Sequence, residues 1–202
     1  MFGTRIHGRG GQGVVTAAEL LSVAAFDAGL HAQAFPSFGS ERTGAPVVAY
    51  VRISEAPIRN REPILVPDAL IVQDATLLHQ VDLLAGLPTE AFVLVNTRRS
   101  FDELGLADFT QGRDPARLVT VPATQIALRH TGKPVPNAVL LGGFAALTSV
   151  VSLAGVQQAL EHKFPGGLGE ANAAAAAEAY RGVIAQQEAD RQEVALSDAT
   201  TD

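Results

Sequence analysis

A glycine-rich loop between a short strand and a helix is the feature that most constrains how this chain folds. Residues 8–13 are Gly-Arg-Gly-Gly-Gln-Gly, which places glycines in a G-x-G-x-x-G pattern. The preceding residues 2–7 alternate as a strand does, and residues 14–28 carry apolar side chains at helical spacing. A glycine loop in this strand–loop–helix context is typical of a βα unit that binds a dinucleotide.

The glycine loop predicts a site for a phosphate-bearing ligand. We expect Gly8 to permit the tight turn, Gly10 to let the backbone approach a pyrophosphate, and Gly13 to let the helix pack closely on the strand. The helix start supplies free N–H groups and the positive end of the helix dipole. Arg9 and Gln12 add side-chain donors. The alternative is a glycine-rich turn that serves packing alone.

One part of the NAD fingerprint is missing. It places an acidic residue about twenty residues after the loop, at the end of the second strand. That strand, predicted at residues 32–35, ends in Pro36-Ser37, while Asp27 falls in the preceding helix and Glu41 in the following loop. Ordinary NAD binding is therefore disfavoured. Arg42, next to Glu41, suits a ligand with a phosphate on its ribose, such as NADP or coenzyme A.

The remaining sequence predicts an α/β fold. A strand is expected at residues 47–53, and continuous apolar runs typical of buried parallel strands lie at 69–73, 91–96 and 118–122. Helical patterns follow at residues 76–84, 124–130, 137–151, 152–163 and 169–190. Ser152 is predicted to cap the helix that begins there, and Asp74, which follows the apolar run 69–73, is predicted to cap the next helix. The alternative for Asp74 is a ligand contact, because the carboxyl ends of parallel strands face the ligand crevice. We predict a Rossmann-like open, mostly parallel sheet, with an N-terminal glycine loop and C-terminal helices packed on the sheet. Residues 1–190 would form a single domain and residues 191–202 a polar tail.

Composition excludes several kinds of chemistry. The 202 residues include no cysteine, so the chain offers no thiolate to an iron–sulfur cluster, a zinc ion or a nucleophilic mechanism. The net charge of −6 comes without a basic stripe, which argues against nucleic-acid binding. We see no signal peptide or membrane span and expect a cytoplasmic protein. The five histidines lack the spacing of a helical metal pair, and His7 alone adjoins the glycine loop.

A second loop, residues 34–46, combines two phenylalanines, two prolines, two glycines and the pair Glu41-Arg42. Loops of this length are more often functional than mere connections. We expect it to present Ser37, Ser40, Glu41 and Arg42 to a ligand or a partner subunit. The alternative is a stiff connection whose phenylalanines plug the core.

Four segments carry a family resemblance: residues 8–18, the second loop continued through residue 54, residues 136–142, and Asn172 in a helix after Phe164-Pro165. In order and spacing they resemble the gamma subunit, or gamma domain, of the 2-oxoacid:ferredoxin oxidoreductases, of which the pyruvate:ferredoxin enzymes are the best-known members. The family often has proline where Ser40 stands and arginine where Thr43 stands. The missing arginine weakens the second loop as an anion clamp.

The resemblance implies a multi-subunit enzyme that oxidatively decarboxylates a 2-oxoacid, forms an acyl-CoA and passes electrons to ferredoxin or NAD. In such enzymes thiamine diphosphate and Mg lie between alpha and beta subunits, and iron–sulfur clusters lie in a delta part and often in beta. An additional flavin subunit carries FAD where NAD is the acceptor. The gamma chain is then non-catalytic, helps the assembly and helps to bind coenzyme A.

The residues that we expect at the coenzyme A site or the subunit seam are Gly8, Arg9, Gly10, Gly11, Gln12, Gly13, Ser37, Glu41 and Arg42. The loop glycines and Gln12 would lie near the pyrophosphate or a partner's backbone, and the two arginines near phosphates. Two other functions remain open: a stand-alone NADP-binding oxidoreductase, and a purely structural scaffold. The NADP-binding oxidoreductase is disfavoured because the sequence has no recognisable proton relay, such as a tyrosine followed four residues later by a lysine. The identity of the 2-oxoacid is left open.

Overall fold

The computed structural model describes residues 1–37 and 43–199. They form one sheet with the strands β1 (Phe2–Arg9), β2 (His31–Pro36), β3 (Pro46–Ser54), β4 (Ala69–Val72), β5 (Phe92–Asn96) and β6 (Leu118–Val121). The helices are α1 (Val14–Asp27), α2 (Ala107–Thr110), α3 (Ala123–Thr131), α4 (Asn137–Thr148), α5 (Leu153–Lys163) and α6 (Gly167–Ala199). Two 3₁₀ helices lie at Ala75–His79 and Pro115–Arg117.

The sheet is mixed but mostly parallel, in the order β2-β3-β1-β4-β5-β6. Strands β1, β4, β5 and β6 are mutually parallel, and β3 runs antiparallel to both of its neighbours. The predicted α/β class is therefore confirmed, but the Rossmann-like topology is wrong at one edge, where β3 lies between β1 and β2. The connection over residues 37–45 suffices for a hairpin, whereas a parallel return needs a crossover of about a dozen residues or more.

The sheet has two unequal cores. On one face, side chains such as Ile6, Val51 and Ile71 pack under α1 and the C-terminal helices, as predicted. Helix α4 lies in the middle of this layer, and its Phe144 meets Phe2 edge-on with ring centroids 6.3 Å apart. On the other face a smaller cluster is covered by irregular segments and α2; it comprises Leu70, Val72, Leu77, Leu83, Val93, Val95, Leu104 and Leu118.

Local capping explains several element boundaries. The Ser152 hydroxyl accepts a hydrogen bond from the Gly155 N–H at 3.0 Å and begins α5, as the sequence predicts. Asp74 likewise begins the first 3₁₀ helix by accepting from the Thr76 N–H at 3.0 Å. The glycine loop ends in Gly13, whose left-handed conformation begins α1.

Two predicted helices have different limits. The pattern at residues 76–84 forms only the short 3₁₀ helix. The irregular segment after it binds the Arg5 guanidinium through the carbonyl oxygens of Leu83 and Ala85, at 2.6 and 2.9 Å. The last helix, expected to end near residue 190, continues to Ala199, so the start of the predicted tail is helical. Whether residues 1–190 form an independent domain remains a prediction.

A candidate ligand-binding cleft at the glycine loop

The glycines of the first loop have structural roles that differ from the predicted ones. Gly8 is still in β1, and a Cβ there would lie 2.7 Å from Val14 Cγ2, so Gly8 lets α1 pack on the strand. The turn instead uses Gly11 and Gly13, which have φ values of 94° and 73°. The predicted role of Gly8 in the turn is therefore wrong, because the strand runs two residues further than expected. The close neighbour of Gly13 is Asn137 of α4 and not the strand.

An open cleft of about 440 Å³ lies beside this loop. It is lined by Arg9, Gly10, Gly11, Gly13, Val14, Val15, Thr16, Thr43 and Val47. The first turn of α1 carries no acidic residue, and no described side chain caps it. The N–H groups of residues 14–16 precede the first intrahelical bond, made by the Ala17 N–H to Gly13 O at 2.8 Å, and so remain available to an acceptor. This end of α1 suits an anion.

The second loop returns to the first one. The Gly10 N–H donates to Ala45 O at 2.9 Å, and the Gly44 N–H donates to Gly10 O at 3.1 Å. These bonds bring the two predicted functional loops together and place Thr43 in the wall of the cleft. Ser37 lies at the end of β2, where its N–H donates to Val48 O at 2.9 Å, and it does not line the described part of the cleft. Ser40, Glu41 and Arg42 fall outside the described residues.

Arg9 and Gln12 turn towards Asp74, at the end of β4. The Asp74 Oδ2 atom accepts hydrogen bonds from Arg9 Nε and from Gln12 Nε2, each at 3.0 Å. The remaining guanidinium nitrogens of Arg9 donate to Gly44 O, to Thr76 Oγ1 and to Gln80 Oε1 at 3.1, 2.8 and 2.9 Å. Four of the five Arg9 N–H donors are thus engaged within the chain.

The carboxyl group of Asp74 is held in its charged form. Burial alone would raise its pKa, but hydrogen bonds from Thr76 and Gln12 and the charge of Arg9 lower the pKa below its ordinary value. The sequence marked Asp74 as the cap of the following helix, and this role is confirmed for the 3₁₀ helix. Its bonds to Arg9 and Gln12 were not foreseen, because they join residues more than sixty positions apart.

Behind the loop lies a buried polar layer that sequence reasoning also missed. The Asn96 side chain joins three elements: it donates to Gln73 O and to Thr124 Oγ1, both at 2.8 Å, and accepts from the Thr124 N–H. Asn137, at the start of α4, is 5% exposed and lies against Gly13. Asn96 thus ties the carboxyl ends of β4 and β5 to the start of α3, and Asn137 ties the start of α4 to Gly13 in the lining of the cleft.

His7 is a half-buried base beside this site. Burial, with a smaller contribution from the positive charge of Arg5, lowers the pKa of His7 from 6.5 to about 4. Its Nε2 atom is buried and has no hydrogen-bond partner among the described residues. His7 is therefore neutral at neutral pH.

The sheet order bears on the kind of ligand. In a dinucleotide-binding fold the strand next to β1 ends beside the glycine loop and carries the acid for the ribose. Here the neighbour is the antiparallel β3, whose first residue Pro46 pairs with Arg9. The end of β2 is two strand spacings, about 10 Å, from β1. The geometry that holds an NAD ribose is thus absent from the described residues.

A metal site and a membrane-spanning helix are both absent from the described residues. No three histidine, aspartate or glutamate side chains within 1–37 and 43–199 are grouped so that they could hold a metal ion. In the same part of the chain, no helix combines the length and apolar character that crossing a bilayer requires. The chain has no cysteine and therefore contributes no thiolate to a cluster.

The fold and the cleft define a class: an open α/β protein whose first helix begins at an anion-suited glycine loop. Comparison with known families narrows this class. The model of the family described as pyruvate ferredoxin/flavodoxin oxidoreductase matches residues 3–182. The chain belongs to this family.

Individual relatives of this chain point to the same family. The chain is 47% identical to the pyruvate/ketoisovalerate oxidoreductases common subunit gamma of Thermococcus kodakarensis, over 91% of this chain and 98% of that one. It is 44% identical to a pyruvate synthase subunit, PorC, of Methanothermobacter marburgensis, over 89% and 96%. The crystal structure of pyruvate oxidoreductase subunit PORC of Thermotoga maritima superposes with a TM-score of 0.75 at 34% identity, covering 89% and 95% of the two chains. The predicted identity as a gamma-type oxidoreductase subunit is confirmed.

Proposed function

We propose that this chain is the gamma subunit of a complex that converts a 2-oxoacid and coenzyme A to an acyl-CoA, and that its glycine cleft helps to bind the coenzyme A. The observation that carries the proposal is the open, uncapped start of α1 beside the two joined loops. Pyruvate is the first substrate to test, because it appears in the names of the relatives.

The reaction defines what the chain must supply. A 2-oxoacid anion and the thiol of coenzyme A give the acyl thioester, CO₂, a proton and two electrons, which pass to ferredoxin or NAD. With no cysteine and no described metal-binding group, this chain offers no relay for the electrons. From the family resemblance, we propose that thiamine diphosphate with Mg, the iron–sulfur clusters and any FAD lie in the alpha, beta, delta or flavin partners. Binding and positioning remain for the gamma chain.

The cleft suits the phosphorylated end of coenzyme A. The N–H groups of residues 14–16 and the positive end of the α1 dipole face an opening of about 440 Å³. Gly10 and Gly11 present backbone without side chains at its edge, so a phosphate can approach closely. Gly13 lines the cleft with them, whereas Gly8 and Gln12 shape the loop from outside the cleft lining. Arg42 is the proposed cation for a phosphate, and Ser37 and Glu41 are proposed to lie at the seam with a partner subunit.

A charge inserted into the first turn of α1 tests this proposal in the assembled complex. Val15 lines the cleft and has a matched partner in Val23, which is 42% exposed two turns further along the same helix. A glutamate at Val15 is favourable for the helix start but repels a phosphate. We therefore expect Val15→Glu to raise the KM for coenzyme A about tenfold or more, with the KM for the 2-oxoacid unchanged.

The Val23→Glu variant adds the same charge away from the cleft and should leave both KM values within about twofold of the native complex. Size-exclusion chromatography must show that both variants assemble. If both assemble and Val15→Glu leaves the KM for coenzyme A unchanged, the coenzyme does not bind here.

The stand-alone NADP-binding oxidoreductase is disfavoured by the position of β3 and by the family. Calorimetric titration of the purified chain with NADPH, followed by a turnover assay, tests it. Tight binding with turnover by this chain alone would contradict the subunit proposal. Weak binding of coenzyme A to the isolated chain would not, because partner subunits complete the site.

A further inference from the structure

The Asp74 clasp, defined as Asp74 with the Arg9 and Gln12 side chains bound to it, links the glycine loop to the neighbouring strand. We propose that Asp74 and Arg9 are positioning residues for the coenzyme A cleft: they hold the glycine loop against residues 43–45, the described end of the second loop, and Arg9 acts through these segments and not as a phosphate ligand. This inference rests on the proposed function.

The hydrogen bonds of Asp74 have two separate purposes. One carboxylate oxygen, Oδ1, accepts from the N–H and hydroxyl of Thr76, at 3.0 and 2.6 Å, and begins the 3₁₀ helix. The other oxygen, Oδ2, accepts from Arg9 and Gln12. Capping alone would use only the first set. The second set joins the end of β4 to the loop between β1 and α1.

Gln12 closes the clasp inside the glycine loop. Its Oε1 atom accepts from the Arg9 N–H at 2.8 Å while its Nε2 donates to Asp74. The Gln12 N–H donates to Arg9 O at 3.0 Å, which closes the turn. Both ends of the Gln12 amide are thus used to hold the loop against β4, and one Nε2 hydrogen is left for another acceptor.

Arg9 extends the clasp to the second loop. Its Nη1 donates to Gly44 O, and the backbones of Gly44 and Gly10 are themselves hydrogen bonded. The Arg9 side chain is 23% exposed, and its charge is matched by Asp74 at 3.0 Å. An arginine paired in this way has one N–H left and adds little net charge to the cleft, so the backbone N–H groups of α1 carry the attraction for a phosphate.

An isosteric variant separates the clasp from the cap. In Asp74→Asn the Oδ1 atom can still cap the 3₁₀ helix, because asparagine caps as well as aspartate. Its Nδ2 then faces two other donors, Arg9 Nε and Gln12 Nε2, so the clasp opens. We expect the assembled complex to show a KM for coenzyme A raised about tenfold, with the KM for the 2-oxoacid unchanged.

Asp114 provides the matched control. It also caps a 3₁₀ helix, accepting from the Ala116 N–H at 3.0 Å, and it also faces an arginine, with Arg117 Nε at 3.6 Å. It precedes β6, at the opposite end of the sheet from the cleft. Asp114→Asn removes the same charge and should change neither KM. Thermal unfolding and assembly are compared for both variants.

The sign of the effect distinguishes positioning from direct binding. If Arg9 is a phosphate ligand restrained by Asp74, Asp74→Asn frees its charge and the KM for coenzyme A falls, which overturns the inference and leaves the proposed function standing. Equal KM values in Asp74→Asn and Asp114→Asn, with Val15→Glu still impaired, overturn it in the same way. If Val15→Glu and Asp74→Asn both leave the KM unchanged, the proposed function fails as well.

Arg9→Lys tests the same inference when Asp74→Asn does not assemble. Lysine keeps the charge but cannot reach Asp74, Gly44, Thr76 and Gln80 together. A positioning role predicts the same rise in the KM for coenzyme A as in Asp74→Asn. If Arg9 instead binds a phosphate directly, a lysine at this position retains most of the attraction and the KM for coenzyme A stays near its native value. That result would overturn the inference.

Discussion

The amide of Asn137 lies so close to Gly13 that a Cβ on the glycine would be 2.4 Å from Asn137 Nδ2. This contact joins the starts of α1 and α4, which are 124 positions apart in sequence. Two features therefore favour glycine at position 13: its left-handed backbone conformation, and the side chain of Asn137, which leaves no room for a Cβ.

Replacing Gly13 by alanine should therefore destabilise the chain more than the same change at Gly11. Gly11 also has a positive φ, but a Cβ there would meet nothing within 4 Å. We expect Gly11→Ala to cost about 1 kcal/mol in the free energy of unfolding and Gly13→Ala about 3 kcal/mol. Chemical denaturation of the purified chain measures both. Equal losses would show that the Asn137 contact has no energetic weight.

Adjacent glycines of α4 offer a second comparison. A Cβ on Gly142 would lie 2.0 Å from the backbone oxygen of Ala176 in α6. A Cβ on Gly143 would have Leu94 Cδ2 as its nearest neighbour, at 3.4 Å. We expect Gly142→Ala to lose about 2 kcal/mol or more by forcing the two helices apart. Gly143→Ala should be neutral or gain up to about 1 kcal/mol from helix propensity. A stable Gly142→Ala variant would contradict this packing.

The extent to which the sequence predicts this fold depends on the range of the interactions involved. Strands appear where short apolar runs are buried, and Ser152 and Asp74 cap as expected, because these signals are local. The antiparallel insertion of β3 could not be predicted, since Val47–Ile53 forms a strand in either orientation. The pattern at residues 76–84 did not predict the observed structure, because Leu77 is buried from a short 3₁₀ helix and Leu83 from the irregular segment after it, without an α-helix.

The same distinction applies to the site. The glycine loop was recognisable because its residues are consecutive, and the meeting of the two loops follows from their hydrogen bonds at Gly10. The orientation of Arg9 was not predictable, because its partner Asp74 follows a different strand. The predicted phosphate-binding residues therefore remain a proposal, with Arg9 assigned to positioning.

His7 gives the chain a measurable loss of stability in mild acid. Its folded pKa of about 4 lies below the ordinary value of 6.5, so the unfolded chain binds the proton more readily. The stability is complete above pH 6.5, falls as the pH decreases towards 4, and changes by about 2 kcal/mol between pH 7 and pH 5. Carboxyl groups contribute mainly at lower pH.

A His7→Gln variant isolates this effect, because glutamine does not titrate. The native chain should lose more unfolding free energy between pH 7 and pH 5 than the variant does, by about 2 kcal/mol. Titration of the His7 ring followed by NMR gives the pKa directly. Identical pH slopes for the two chains, or a ring that titrates near 6.5, would contradict the half-buried position of His7.

The structure of the assembled complex with coenzyme A bound tests the central claim most directly. We predict that phosphate oxygens of the coenzyme lie within hydrogen-bonding distance of the N–H groups of residues 14–16, with Arg9 still bound to Asp74. A fully occupied coenzyme A whose atoms all contact partner subunits, with none near residues 8–16, would contradict the account and leave this chain a structural subunit.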